Sequence, residues 1–409
     1  MTVYLDLKNR YVGLKPLHKK SIMPLRFVLA PDSFKECMSA EQACTAMQRG
    51  IRQVFPDAIC LSVPMADGGE GTVDALVTAL KGQKDSCIVS GPLPHQKFHS
   101  EIGLIDAGHT AVIEMASANG IHLLAVEQRN PLLTSSYGTG ELIKYALNLG
   151  VSKIIIGLGG SVTNDAGAGM AQALGAKFYD ECGEEVSTGG GQLGRIKSID
   201  LSALDQRLKH TEIIIASDVN NPLCGEHGAS YVFGPQKGAS LEMVQQIDDH
   251  LRHFADVIET ELNIDLRDVA GAGAAGGLGF GLMAFVHAKI QSGVELMIRE
   301  TQLAEKIASA DYVFTGEGKI DRQTQLGKTP FGVAQLAKAL NKPVIAFAGV
   351  LGEGVEELYP YGFSQIISIN PPDTDLGTAL KMGEQHLEIS AKAMADILKH
   401  DLEVSSQQG

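Results

Sequence analysis

The run LRFVLAPDS, from Leu25 to Ser33, is a short apolar stretch stopped by Pro-Asp, the pattern of a buried strand. SAEQACTAMQRGIRQVF follows, with Ser39 as a cap candidate and its apolar positions at helical spacing. AICLSVPMADGGEGT predicts a second strand that ends in a glycine-rich bend, and VDALVTAL predicts another helix. This strand–helix–strand–helix opening argues for a parallel, doubly wound sheet. The rhythm then changes. DSCIVSGPLPHQKFHSEIGLIDAGHTAVIEMA alternates, carries turn signals and leaves no room for a crossover helix, so it predicts an antiparallel meander. Strand–helix rhythm returns through KIIIGLGGS, TEIIIASDVNNPL and the helix LEMVQQIDDHLRHFADVIETEL. ADYVFTGEG, KPVIAFAGV and FSQIISI then read as three strands continuing the opening sheet.

The predicted fold class is α/β, with two α/β domains. A doubly wound, mostly parallel, Rossmann-like domain is built from residues 23–86 and 290–409, and an inserted mixed α/β domain spans 87–289. Residues 1–22 carry basic groups but no apolar core or small-residue cleavage site; they read as a disordered N-terminal extension rather than a signal peptide.

A length of 409 residues agrees with two domains, and 44% hydrophobic with 20% charged residues is ordinary globular composition. The net charge of −14 argues against a nucleic-acid or anionic-membrane surface. It leaves room for a small anionic ligand held by local amides and lysines. Cys37, Cys44, Cys60, Cys87, Cys182 and Cys224 show no CxxC spacing and read as reduced thiols of a cytoplasmic protein. No apolar run approaches the roughly 20 residues that span a bilayer.

Candidate chemistry gathers at strand ends. In GLGGSVTNDAGAG, Gly157, Gly159 and Gly160 shape a strand-to-helix bend where backbone N–H groups could hold an anion. Ser161, Thr163 and Asn164 add side-chain donors, and Asp165 could face a metal or a hydroxyl; the plainer alternative is a tight turn whose polar residues only cap the helix. APDSFK places Asp32, Ser33 and Lys35 past the first strand, and PMADGGEGT places Asp67 and Glu70 past the second. FTGEGKIDRQTQLGKTP places Glu317, Asp321, Gln323 and Lys328 past a late strand. Ligands of open parallel sheets sit beyond such ends, and carboxylates with lysines suit phosphoryl transfer. SDVNNPLCG adds Asp218, and VFGPQKGA adds Lys237, a ligand-binding point charge or a surface lysine in a turn. GAGAAG, from Gly271 to Gly276, matches a dinucleotide fingerprint but lacks the preceding strand, so close packing of small residues is expected there. GKT, from Gly327 to Thr329, lacks the leading glycine of a Walker loop. No HExxH or GxSxG pattern supports a zinc site or a serine nucleophile.

Together APDSFKECMSA, VPMADGGEGT, GLGGSVTNDAGAGMAQALG, SDVNNPLCG, VFGPQKGA, GAGAAGGLG and TGEGKIDRQTQLGKTPFGVA resemble the class I, two-domain glycerate kinase family of bacteria, from about Arg26 to the last helix. The family's first motif reads FKGS where this chain has FKEC, so Glu36 and Cys37 receive no role. The resemblance implies an ATP-dependent transferase that phosphorylates D-glycerate with Mg²⁺, 2-phosphoglycerate being favoured, and an active site in the cleft between the domains. It implies a cytoplasmic enzyme of glycerate metabolism with D-glycerate and ATP as partners, neither nucleic acid nor membrane, and it leaves a homo-oligomer open. Within it, the physical roles expected are Asp218, Lys35 and Asp32 in catalysis, Asp218 being preferred over Asp32 as base. Ser33, Gly159, Gly160, Ser161, Thr163, Asn164, Lys237, Glu317, Asp321, Gln323 and Lys328 are expected to bind substrate or phosphate. Asp67, Glu70 and Asp165 are expected to hold the metal. A 3-phosphoglycerate product, a related hydroxy acid as substrate, and a non-catalytic sugar-acid sensor are the alternatives.

Overall fold

A computed structural model describes residues 24–407; the extension assigned to 1–22 lies outside them. The strands, numbered along the chain, are β1 (Arg26–Leu29), β2 (Ile59–Ser62), β3 (Gln83–Ser90), β4 (Lys97–Ile105), β5 (Thr110–Glu114) and β6 (Lys153–Gly157). They continue as β7 (Lys177–Tyr179), β8 (Ser198–Asp200), β9 (Glu212–Ala216), β10 (Lys289–Gln291), β11 (Tyr312–Ile320), β12 (Val344–Leu351) and β13 (Phe363–Ser368). They are distributed over two compact units, residues up to Asp67 with those from Val294 onward, and Gly68–Gly293.

The first unit is an all-parallel sheet in the order β13-β12-β11-β1-β2. Its central strands are buried on both faces, as parallel strands covered by helices must be: Phe27, Leu29, Phe314, Ile345 and Phe347 are fully enclosed. The helix Ala40–Val54 starts at Ser39, whose hydroxyl accepts from the Gln42 N–H while the Gln42 side chain accepts from the Ser39 N–H. It buries Ala43, Met47 and Ile51 with Leu387, Ala391 and Met394 of the C-terminal helix Leu376–Gln407.

The second unit carries the sheet β10-β9-β6-β5-β4-β3, parallel from β10 to β5 and antiparallel from β5 to β3. The alternating segment thus forms the meander its pattern predicts, grafted onto a parallel half. The small hairpin β7-β8 lies apart from it. The helix Thr72–Leu80, counted with the opening sheet on rhythm, belongs instead to this second unit: Val73 and Val77 pack over Gly103 of β4. The division therefore falls at Asp67 and not near Cys87.

Candidate active site

In the first unit β1 has β2 on one side and β11, β12 and β13 on the other. This is the switch in strand order beyond which parallel sheets open a crevice. Pro31 ends β1, and the chain turns tightly: Phe34 and Met38 exchange backbone hydrogen bonds of 2.9 and 3.0 Å around Glu36, which sits at φ 62°. The Asp32 N–H donates to the Gly316 carbonyl of β11 at 2.9 Å, so this turn is anchored to the neighbouring strand. A cavity of about 330 Å³ opens here, and Asp32, Ser33, Lys35, Asp67, Glu317 and Lys328 all line it.

Two carboxyls in it are displaced from ordinary acidity. Burial, then the charge of Asp67, push Asp32 up to about 6. The Thr329 hydroxyl donating to Oδ2 (2.6 Å), the Ser33 N–H donating to Oδ1 (2.6 Å) and Lys35 pull the other way. Burial likewise raises Glu317 to about 7, aided by Asp32 and opposed by Lys328 at 3.5 Å and the Thr324 hydroxyl at 3.1 Å. A buried carboxyl near pH 6–7 beside a lysine is suited to moving a proton at neutral pH.

Asp321 and Gln323 stand outside this cavity. Asp321 caps the short turn Arg322–Gln325, accepting from the Gln323 N–H at 2.9 Å and pairing with Lys319 at 2.7 Å, while the Gln323 side chain faces solvent. Thr324 and Thr329, which hold Glu317 and Asp32, escaped the sequence reading, although both lie inside the motif that supplied their neighbours.

In the second unit the carboxyl ends of β6 and β9 meet the turn from Gly68 to Glu70. A Cβ on Gly157 would come 2.7 Å from the Gly68 carbonyl, one on Gly159 2.5 Å from the Gly69 Cα, and one on Gly68 2.6 Å from the Ala216 carbonyl. The glycines of two motifs therefore serve backbone-to-backbone approach. Glu114, unnoticed in sequence because it ends a meander strand, joins this edge and accepts from the Val73 N–H at 2.8 Å. Glu70 is exposed and Asp218, just past β9, is half-buried.

The bend after β6 corrects several expectations. Only Gly159 and Gly160 are accessible; Ser161, Thr163, Asn164 and Asp165 are buried. Asn164 donates to Ser230 at 2.9 Å. Asp165 accepts from the Ser136 N–H (2.7 Å) and hydroxyl (2.9 Å) and from the N–H groups of Gly167 and Gly169 (3.3 Å each). Its oxygens are committed to shaping the bend, which removes it from the metal set. Lys237 is neither a surface lysine nor open to a ligand. It is 1% exposed, and its ammonium donates to Ser161 Oγ at 2.8 Å and the Thr163 carbonyl at 2.7 Å. Burial lowers it from 10.5 to about 7, against the pull of Asp165.

A lysine lowered on folding stays protonated in the unfolded chain between about pH 7 and 10.5, so its share of stability grows as pH rises through that window. Lys237→Met, which strips both acceptors of their donor, is expected to melt below wild type, with the deficit widening from pH 7 to 9.5. A deficit independent of pH would show that the lysine is not buried as described.

Among the described residues no three His, Cys, Asp or Glu side chains form a metal cage. Nucleotide-borne Mg²⁺ needs less, usually one or two carboxylates beside phosphate oxygens and water. Asp67, which lines the cavity with Asp32 and raises it by its charge, is a carboxylate of that kind.

The glycerate kinase family model matches residues 27–399. The chain is 50% identical to the glycerate kinase of Haemophilus influenzae over 91% of its own length and 99% of that protein. It is 49% identical to the glycerate 2-kinase of Escherichia coli over 87% of its length and 92% of that protein. A crystal structure from Salmonella typhimurium LT2 described as glycerate kinase 2 superposes with a TM-score of 0.84 at 45% identity, covering 95% of this chain and 100% of that one.

Proposed function

Since the chain belongs to the glycerate kinase family, we propose that it transfers the γ-phosphoryl group of ATP to the 2-hydroxyl of D-glycerate, giving 2-phosphoglycerate and ADP. The observation that carries the chemistry is Asp32, a carboxylate raised to about 6 in a cavity that also holds Lys35, Asp67, Glu317 and Lys328. In this reading Asp32 takes the hydroxyl proton as the oxygen bonds to phosphorus and the bond to the ADP oxygen breaks. Lys35 and Lys328 offset the charge on the moving group. Asp67 would hold Mg²⁺, directly or through water, and the ion would offset charge on the phosphate oxygens. The preference for Asp218 as base passes to Asp32, whose surroundings tune it for the task; Asp218 remains a second candidate. The accessible backbone of Gly159 and Gly160 suits an anionic oxygen of ATP or of the glycerate carboxylate.

Among the described residues no helix is long and apolar enough to cross a membrane. A cytoplasmic setting, where ATP is plentiful, suits the reaction. Phosphorus-31 NMR of the product from MgATP and D-glycerate tests the proposal: 2-phosphoglycerate and ADP should appear in equal amounts. 3-Phosphoglycerate would overturn the regiochemistry, and unchanged ATP the activity.

Asp32 must be ionised to act and Glu317 shares its cavity, so kcat/KM should fall on the acid side with an apparent midpoint between about 6 and 7. A profile flat down to pH 5 would remove Asp32 as the base.

A further inference from the structure

The cavity is only half explained by phosphoryl chemistry. The strand order lays out its lining: Asp67 follows β2, Asp32 follows β1, Glu317 is on β11, Val350 is on β12 and Ile369 follows β13. Most polar groups thus occupy the β2–β1–β11 side, and the β12–β13 side is aliphatic apart from Asn370, whose amide is engaged within the protein. Leu376, Ala379 and Leu380 complete that side from the first turns of the C-terminal helix, their spacing of three and four residues placing them on one face. Cys37 joins them from the turn after β1. Val350 and Leu376 are 51% and 69% exposed, an arrangement that costs solvation until something apolar covers them. The Gly349 carbonyl among them is fixed by the Asn370 amide at 2.8 Å, and Asn370 Oδ1 is held in turn by His386 at 2.8 Å.

D-Glycerate carries oxygen on every carbon and has no apolar surface to offer these residues. From β1 to β13 is three strand spacings of about 4.8 Å each, a reach that suits an extended nucleoside triphosphate. We infer that the aliphatic side of this cavity, around Val350, Leu376 and Leu380, seats the purine base of the nucleotide, with the phosphates running toward Lys35 and Lys328. The inference rests on the kinase reading above and adds to it the place and orientation of the nucleotide.

Val350→Ser and Leu376→Ser test it, since both side chains are exposed and neither change disturbs the core. Calorimetric ADP affinity should weaken about tenfold in each, equivalent to about 1.4 kcal/mol. KM for ATP should rise by a similar factor, while kcat and KM for D-glycerate stay within about twofold. Alkylation of Cys37 by N-ethylmaleimide, mapped by mass spectrometry, should be slowed by ADP and by adenosine but not by inorganic triphosphate. Unchanged ADP affinity in both variants, or protection by triphosphate as strong as by ADP, would overturn the placement. A wild type that binds ADP with these sensitivities yet makes no phosphoglycerate would uphold the base site and defeat the kinase reading. Turnover with ATP affinity untouched by either variant would do the reverse.

Discussion

Replacing Asp32 with Asn is expected to lower kcat by about a hundredfold or more and to raise the melting temperature at pH 7.5. The first effect follows from removing the base from the only position where a carboxylate near pH 6 faces Lys35 inside the described cavity. The second follows from linkage. Burial and Asp67 hold Asp32 above its ordinary 3.8, so the folded protein keeps this proton to about pH 6 while the unfolded chain has released it. Below pH 3.8 both states are protonated and the group is neutral in effect; from there to about pH 6 stability is lost, and above it the full penalty persists. Asn escapes the penalty; its one carbonyl keeps the bond from the Thr329 hydroxyl (2.6 Å) and gives up that from the Ser33 N–H, a smaller loss because Ser33 is half-buried and within reach of water. Lys35→Met should also reduce kcat, but without the gain in stability, because Lys35 is exposed. Steady-state kinetics and scanning calorimetry on the same preparations separate the two. Near-wild-type turnover, or a lower melting temperature, in Asp32→Asn would refute the assignment.

Activity bought with local instability is what a buried, repelling carboxylate implies, and it also marks where sequence reasoning could reach. LRFVLAPDS announces a buried strand and a turn bearing polar residues, because apolar runs and Pro-Asp act locally. Strand ends are legible for the same reason, which is why Asp32, Lys35, Asp67 and Glu317 could be grouped before their cavity was known. What a side chain faces depends on parts of the chain far away. Lys237 in a Gly-Pro loop looks like any surface lysine until its loop folds against the Thr163 carbonyl. Asp165 among glycines looks like a metal ligand until Ser136, distant in sequence, claims its oxygens. The helix Thr72–Leu80 has the rhythm of the first unit, and rhythm does not say which sheet a helix covers; Val73 and Val77 over Gly103 do. The aliphatic half of the cavity was invisible because Val350 on β12, Ile369 just past β13 and Leu376 at the start of the C-terminal helix each look ordinary in their own stretch.

The other large effect is expected at Gly276, in the stretch that resembles a dinucleotide fingerprint. The chain there passes through left-handed conformations at Ala275 (φ 53°), Gly276 (φ 69°) and Gly277 (φ 85°) before the helix Ala274–Val286 settles. The Gly276 carbonyl accepts from the Ala166 N–H at 3.1 Å, so the segment is bonded to the bend after β6. A methyl group on Gly276 would overlap the Thr163 carbonyl oxygen and lie 2.7 Å from Asn164 Cα and Oδ1. The same carbonyl accepts from Lys237, which leaves it no freedom to retreat. Gly276→Ala therefore combines a left-handed alanine with a backbone collision, and about 3 kcal/mol or more of destabilisation is expected, a melting shift of about 6–12 °C for a unit of this size. Gly71→Ala is the matched comparison: φ is 90° and a Cβ there meets nothing within 4 Å, so only the conformational cost of about 1 kcal/mol applies. Turnover should fall with Gly276→Ala even well below its melting temperature, because the accessible pair Gly159 and Gly160 rides on the displaced bend. If both alanine variants melted within about 2 °C of each other, the close approach of this segment to Thr163 would be wrong, and with it the account of what holds the glycine-rich bend in place.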